Sequence, residues 1–240
     1  MSGSESKQQV RERIWHILDS KQAVATEAFG RIPNFHGAGA ASNNLATLPQ
    51  WRAATVVKAN PDKPQAPVRE LALATGKTLF MAVPKLAEAK PFYYLNPLLE
   101  EHPPREAATP VTASEYAPTV EVDQMKPMGH IDFIITGSVA VNPNGVRIGK
   151  GAGYADLEVA ILTDAGLVDD RTVLATTVHD LQVLNEDLPE EQHDFRLDLI
   201  ITPSKIIECP KSSRPYGLDW SRIPLEKIEA IPALAARRPS

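Results

Sequence analysis

What most constrains this chain is a β-prone run, Ile131-Asp132-Phe133-Ile134-Ile135-Thr136-Gly137-Ser138-Val139-Ala140-Val141, together with the glycine-rich stretch after it. A turn at Asn142-Pro143-Asn144-Gly145 leads into Gly149-Lys150-Gly151-Ala152-Gly153, and then a helix is expected over residues 154–165, stopped by Gly166. A strand that hands the chain through a glycine turn to a helix is the building unit of an α/β sheet. The same alternation recurs. Residues 55–57 and 78–83 read as strands around a helix over 68–75, with Pro67 at its first position and Gly76 ending it. Residues 172–178 and 197–201 are further apolar strands. The expected fold is therefore α/β, a three-layer, mostly parallel sheet with helices on both faces, its central strand interrupted at Gly137.

The remaining segments are less patterned. Val10, Ile14, Ile17, Leu18 and Val24 recur at helical spacing and predict an amphipathic first helix over about residues 5–28. Residues 31–50, rich in Gly, Asn, Ala and Pro, read as loop with at most a short helix. Residues 85–128 read as an excursion of surface loop, apart from a strand at 92–95. A single α/β domain over 1–223 and a peripheral tail over 224–240 are expected.

The 25 Lys+Arg against 30 Asp+Glu leave a net charge of −5, with no electrostatic footprint for nucleic acid. No apolar run reaches the roughly 18 residues that cross a bilayer, and the polar stretch 1–9 lacks the apolar core of a signal peptide. The expectation is a cytoplasmic protein acting on small molecules, monomer or homo-oligomer, with neither nucleic acid nor membrane as partner. The one cysteine, Cys209, excludes an intrachain disulfide and any Cys-cluster zinc site, and beside Pro210 it reads as an inert thiol.

In an open α/β sheet ligands collect outside the carboxyl ends of the strands, which points to residues 145–156. Alternating glycines at 149, 151 and 153 let backbone approach a ligand closely, and the N–H groups of the following helix start face an anion with the helix dipole in the same sense. Arg147 and Lys150 add cationic side chains, so the segment reads as a polyphosphate cradle. It is not a P-loop: Gly145 and Gly149 enclose three residues where that motif needs four, and Gly151 stands where its hydroxyl belongs. Nor does the GxGxG spacing match the GxGxxG dinucleotide fingerprint. A turn needed only for strand-to-helix packing is the bland alternative. Asp156, in the first turn of the helix, either meets a Mg²⁺–phosphate complex or only complements the helix N-terminus. Tyr154 either stacks on a flat ligand or packs. His179 follows an apolar strand at a plausible site edge, whereas His193-Asp194 reads as part of a solvated acidic turn.

The run Gly145-x-Arg147-Ile148-Gly149-Lys150-Gly151-x-Gly153-Tyr154-x-Asp156 resembles the signature of the 5-formyltetrahydrofolate cyclo-ligases, also called 5,10-methenyltetrahydrofolate synthetases. The resemblance extends from about Lys7 to Thr202. Lys7-x-x-x-Arg11 is similar to the basic pair on the family's first helix, and Gln182, Pro189, His193-Asp194 and Thr202 follow its downstream pattern. Arg31-Ile32-Pro33-Asn34-Phe35, Pro61-Asp62-Lys63-Pro64 and Val178-His179-Asp180 resemble a divergent branch, the methenyltetrahydrofolate synthetase domain-containing proteins. The chain departs from the family at Ala155 and Leu157, where active members carry Tyr and Arg, and at Ala140-Val141, where they carry Phe-Asp. It also has no counterpart near 64–68 to the family's folate-side glutamate.

The resemblance implies a cyclo-ligase-like fold of the CoA-transferase-like group and a ligase that uses ATP and Mg²⁺ to close 5-formyltetrahydrofolate to 5,10-methenyltetrahydrofolate, releasing ADP and phosphate. Lys7, Arg11, Arg147, Gly149, Lys150, Gly151 and Gly153 would hold the nucleotide. Arg147, Lys150 and Tyr154 would serve the chemistry, and Asp156 the metal. The alternatives are a non-catalytic nucleotide- or folate-binding regulator, and an ATP-dependent enzyme on another small molecule, one related to thiamine.

Overall fold

The computed structural model describes residues 5–99, 101–214 and 217–239. The first four residues of the polar N-terminal stretch, one residue of the 85–128 excursion and the last residue of the tail lie outside them. The chain begins with α1 (Lys7–Ser20), α2 (Ala38–Ala46), α3 (Pro49–Ala53), β1 (Val56–Ala59), α4 (Ala66–Ala74) and β2 (Thr78–Ala82). It continues through β3 (Phe92–Leu95), α5 (Pro104–Ala107), α6 (Pro110–Tyr116), β4 (Thr119–Val120), β5 (Phe133–Thr136), β6 (Ala140–Val141) and β7 (Arg147–Ile148). Last come α7 (Tyr154–Asp164), β8 (Val173–Thr177), β9 (Leu199–Ile201), β10 (Ile206–Glu208), α8 (Leu225–Ala230) and α9 (Pro232–Ala235).

Eight strands form one sheet in the order β10-β9-β8-β5-β1-β2-β3-β4. From β2 to β9 neighbours are parallel, while β3, β4 and β10 are antiparallel additions at the two edges. The central strands β1 and β5 are buried at every position, as strands covered on both faces must be. One face is covered by α2, α3 and α4, whose Leu45, Trp51 and Leu73 pack with Val57 and Phe133. The other is covered by α7 and α9, whose Ile161, Leu162 and Leu234 pack with Ile134 and Leu174. The strand order reverses direction between β1 and β5, and that is the switch point at which α/β sheets open a crevice.

Beyond β5 the chain leaves the sheet at Gly137, where a Cβ would stand 2.8 Å from Ile32. It then forms the separate β6–β7 hairpin, which packs under α1 through Val10, Ile14, Val139 and Ile148. Gln182 Nε2 donates to the carbonyls of Ser138 (2.8 Å) and Val139 (3.0 Å), pinning the exit. Gly145 closes the hairpin at φ +85°, with no room for a side chain: a Cβ there would lie 2.5 Å from the Leu197 carbonyl oxygen.

Several expectations need correction. The first helix stops at Ser20, capped at its start by a reciprocal Ser6–Gln9 box, and Val24 instead bridges Phe35 in an extended segment. Residues 31–37 are irregular as expected, but 38–46 form a helix and a second begins at Pro49, because Ala41 and Leu45 find an apolar face to bury. In the 85–128 excursion the strand expected at 92–95 is present as β3, but the rest is not surface loop: β4 joins the sheet and Ala113, Val122 and Met125 are buried, so tertiary packing overrides its proline-rich composition. Residues 224–239 are not peripheral: Ile231 and Leu234 are fully buried in the main core.

Candidate functional site

A cleft of about 1050 Å³ opens at the switch point. Asn60 to Asp62 after β1 and Gly137 after β5 line it, with the residue 149–156 turn, the start of α1 and the loop at 189–194. The turn is built to present its amides. Gly151 (φ +102°) and Gly153 (φ +70°) hold the left-handed conformations that only glycine adopts without strain. No side chain caps α7. Among the described residues the N–H groups of residues 150–156 find no protein acceptor. Orphan amides in this number, at the positive end of a helix dipole, favour an anion.

Four cations reach the turn. Arg147, almost fully buried, donates through Nε to the Gly137 carbonyl (3.1 Å) and through Nη1 to Asp156 Oδ1 (3.3 Å). Its guanidinium lies 4.9 Å from the Phe195 ring centre. A Cβ at Gly149 would come within 2.9 Å of Nη2, so that glycine leaves space for the guanidinium. Nη2 has no acceptor among the described residues. Lys150 is paired with Asp62 at 3.1 Å. Arg11, from α1, donates through Nε to the Gly149 carbonyl at 2.7 Å, and burial lowers its pKa from the usual guanidinium value against the opposing pull of Asp194. The fourth, Lys227 of α8, donates to the Ala152 carbonyl at 2.8 Å and lies 5.7 Å from the Tyr154 ring centre. Lys7 stands further out, bonded to Asp194 at 2.6 Å.

The cleft floor is different in kind. Lys58 of β1 and Glu158 of α7 form an ion pair whose side chains are 1% and 4% exposed, and the Lys58 ammonium also donates to Asn60 Oδ1 at 3.0 Å. Asn60 and Glu158 line the cleft, so a polar pair buried at real desolvation cost sits beneath the rim.

The structure thus brings Arg11, Arg147, Gly149, Lys150, Gly151, Gly153, Tyr154 and Asp156 to one rim, with Lys7 beside them. His179 belongs elsewhere: its Nδ1 accepts the Leu181 amide while Gln182 reaches back to the His179 N–H, a capping box over a single helical turn. His193 lies half-exposed among Glu191 and Asp194 at the cleft mouth. Burial pushes the Cys209 thiol up to about 11, in keeping with an inert residue. Sequence reading missed Lys58, Glu158 and Lys227. The Pro224-Leu225-Glu226-Lys227-Ile228 start of a short amphipathic helix was the available signal for the last.

Fold and cleft together define a doubly wound α/β protein whose switch-point crevice is rimmed by cations and unpaired amides. The chain belongs to the 5-formyltetrahydrofolate cyclo-ligase family, whose model matches residues 3–203. It is 37% identical over 246 residues to a human protein named methenyltetrahydrofolate synthase domain-containing protein, an alignment that covers 97% of this chain and 61% of that one. The chain therefore spans about three fifths of the length of that relative. It is 28% identical over 142 residues to the 5-formyltetrahydrofolate cyclo-ligase of Escherichia coli K12, covering 59% of this chain and 72% of that enzyme. The NMR structure of Aquifex aeolicus 5,10-methenyltetrahydrofolate synthetase shares the fold, with a TM-score of 0.53 at 20% identity over 90% of this chain and 99% of that one. Among the described residues no helix is long and apolar enough to cross a membrane.

Proposed function

We propose that this chain is an ATP-dependent ligase that closes 5-formyltetrahydrofolate to 5,10-methenyltetrahydrofolate in the switch-point cleft. The observation that carries the reading is the row of acceptor-free amides at residues 150–156, set at the start of α7 among Arg11, Arg147 and Lys150.

In this reaction the formyl oxygen attacks the γ-phosphorus of ATP and ADP leaves. N10 then attacks the activated carbon and gives up its proton, which leaves with the departing phosphate, and the methenyl bridge remains. Such phosphoryl transfer asks the protein mainly to position reactants and to neutralise spreading charge. The amides of 150–156 take phosphate oxygens. Arg147 Nη2 is the guanidinium donor left for one more, while the other two nitrogens keep the turn and Asp156 in register. Lys7 and Lys150 are held towards the cleft by Asp194 and Asp62. The Lys150–Asp62 pair is partly exposed, and such pairs are worth only about 0–1 kcal/mol, against about 1.5–3 kcal/mol for a hydrogen bond to a charged group, so Lys150 can turn to phosphate; Lys7, 21% exposed against Asp194 at 11%, is held more firmly. Tyr154, half-buried behind the turn, faces the pterin or formyl group.

The donor set fits a magnesium ion arriving with the nucleotide rather than a resident metal. Asp156 offers one carboxylate oxygen beyond its bond to Arg147, and among the described residues no group of three His, Cys, Asp or Glu is arranged to hold an ion. Asp156 would hold that ion together with phosphate oxygens, and the ion would offset phosphate charge.

Incubation with 5-formyltetrahydrofolate and MgATP, followed by absorbance of the methenyl product, tests the reading. ATP-dependent product is expected, and its absence overturns the proposal. The buried Lys58–Glu158 pair on the floor favours a second reading, an ATP-using enzyme on a different small molecule. Its mark is ATP hydrolysis stimulated by another metabolite and not by 5-formyltetrahydrofolate.

A further inference from the structure

We propose that Lys227, from the short helix α8, is a phosphate-binding residue of this site, gripping the nucleotide's phosphate chain from the side opposite Arg11. The inference rests on the reading of the glycine turn as a phosphate cradle and adds a residue that lies beyond residue 203, where the family match ends. Lys227 closes on the turn itself. Its Nζ donates to the Ala152 carbonyl at 2.8 Å and stands 2.7 Å from where a Cβ on Gly153 would be. Arg11 occupies the matching position on the other flank, 3.3 Å from where a Cβ on Gly151 would be.

The charges of these two residues set them apart. Of the four cations that reach the turn, Arg147 and Lys150 have carboxylate partners, at 3.3 and 3.1 Å. Arg11 and Lys227 bond to backbone carbonyls, and among the described residues neither has a carboxylate at ion-pair distance. An ammonium has three N–H donors, so the bond to Ala152 leaves two to offer. The Tyr154 ring beneath it holds the side chain by cation–π attraction without neutralising it. Both neighbours of the turn are thus charged, oriented and without a carboxylate at ion-pair distance, although Asp194 and Glu191 act on Arg11 from further off, and the ligand that matches them is a polyanion lying along residues 150–156.

The rest of the segment explains how a six-residue helix can hold such a position. Ile228 of the helix is buried, and Ile231 and Leu234 just beyond it are buried in the core that includes α7, so the helix is anchored at its end and presents Lys227 to the turn. Lys227 also borders a second cavity of about 680 Å³ that shares Gly153, Asp156 and Asp194 with the cleft. It stands on the partition between the two.

The test is calorimetric titration of the whole chain and its Lys227→Met and Lys227→Arg variants with MgATP, inorganic tripolyphosphate and adenosine. Methionine keeps the aliphatic stem over Tyr154 and removes the charge. Lys227→Met is expected to weaken MgATP and tripolyphosphate about tenfold each, with Lys227→Arg recovering most of the loss and adenosine affinity moving less than twofold. Unchanged tripolyphosphate affinity in Lys227→Met, with the wild-type chain binding MgATP, overturns the role of Lys227 and leaves the cradle standing. Equal losses for adenosine and tripolyphosphate, or a lowered melting temperature that Lys227→Arg does not restore, make the residue structural and overturn it as well. A wild-type chain that binds neither MgATP nor tripolyphosphate overturns the cradle and this inference together.

Discussion

The rim and the floor of the cleft handle charge in opposite ways. At the rim, Lys150 sits in a partly exposed ion pair that costs little to exchange, Lys7 in a more sheltered one, and Arg11 and Lys227 have no carboxylate at ion-pair distance to release. On the floor, Lys58 and Glu158 have no water to fall back on, so each depends on the other. The contrast separates two tasks within one crevice. Under the proposed function the rim trades protein partners for a ligand's phosphates, whereas the floor keeps a fixed polar surface for the second substrate to match.

The largest expected effect comes from breaking the floor. Glu158→Ala leaves a buried ammonium unpaired and should cost about 3–5 kcal/mol of unfolding free energy, read by chemical denaturation. The double change Lys58→Met with Glu158→Leu should recover most of it, since packed apolar groups replace a buried pair well. If Glu158→Ala costs under about 1 kcal/mol, floor and rim are not different in kind. Next is the hairpin that carries Arg147 to the rim. Gly145→Ala forces a Cβ against the Leu197 carbonyl in a left-handed backbone and should cost about 1–3 kcal/mol, visible as a lower denaturation midpoint.

At the rim itself, Lys150→Ala should leave stability within about 0.5 kcal/mol while weakening MgATP several-fold, the reverse of the floor pattern. Nucleotide affinity unchanged in that variant removes Lys150 from the site. The smallest effect sharpens the comparison with a group outside both regions. With its pKa raised to about 11 by burial, Cys209 is almost wholly protonated at pH 8 and should alkylate far more slowly in the folded chain than in the unfolded one. Equal rates, followed by mass spectrometry, would show the thiol to be accessible and reactive.

Much of the rim could be read in the sequence because local chemistry makes it. The strand, hairpin, glycine turn and helix of residues 131–166 lie consecutively along the chain, and their turn residues announce them. Gly137 stands out in the same way, as the break in a β-prone run. The floor was illegible for a physical reason. Lys58 and Glu158 are 100 residues apart, and in a strand and a helix pattern each looks like a solvated charge until the sheet brings them together. The apolar positions of α2, hidden in a Gly-, Asn- and Ala-rich stretch, and the edge strand β4 depend likewise on neighbours that composition does not name, whereas β3 was legible as a strand at 92–95. Residues 224–239 looked like a tail because two short helices between prolines carry little local signal, and only burial of Ile231 and Leu234 fixes them.

The two flanks of the glycine turn come from far along the chain in opposite directions: Arg11 meets Gly149 across 138 residues and Lys227 meets Ala152 across 75. On the ribosome, therefore, the first helix must wait for the hairpin, and the turn stays open on one side until α8 has emerged. A nascent chain can finish its sheet with that flank still uncovered, so under the proposed role of Lys227 full ATP affinity would be reached only late in synthesis, once the last short helix has docked.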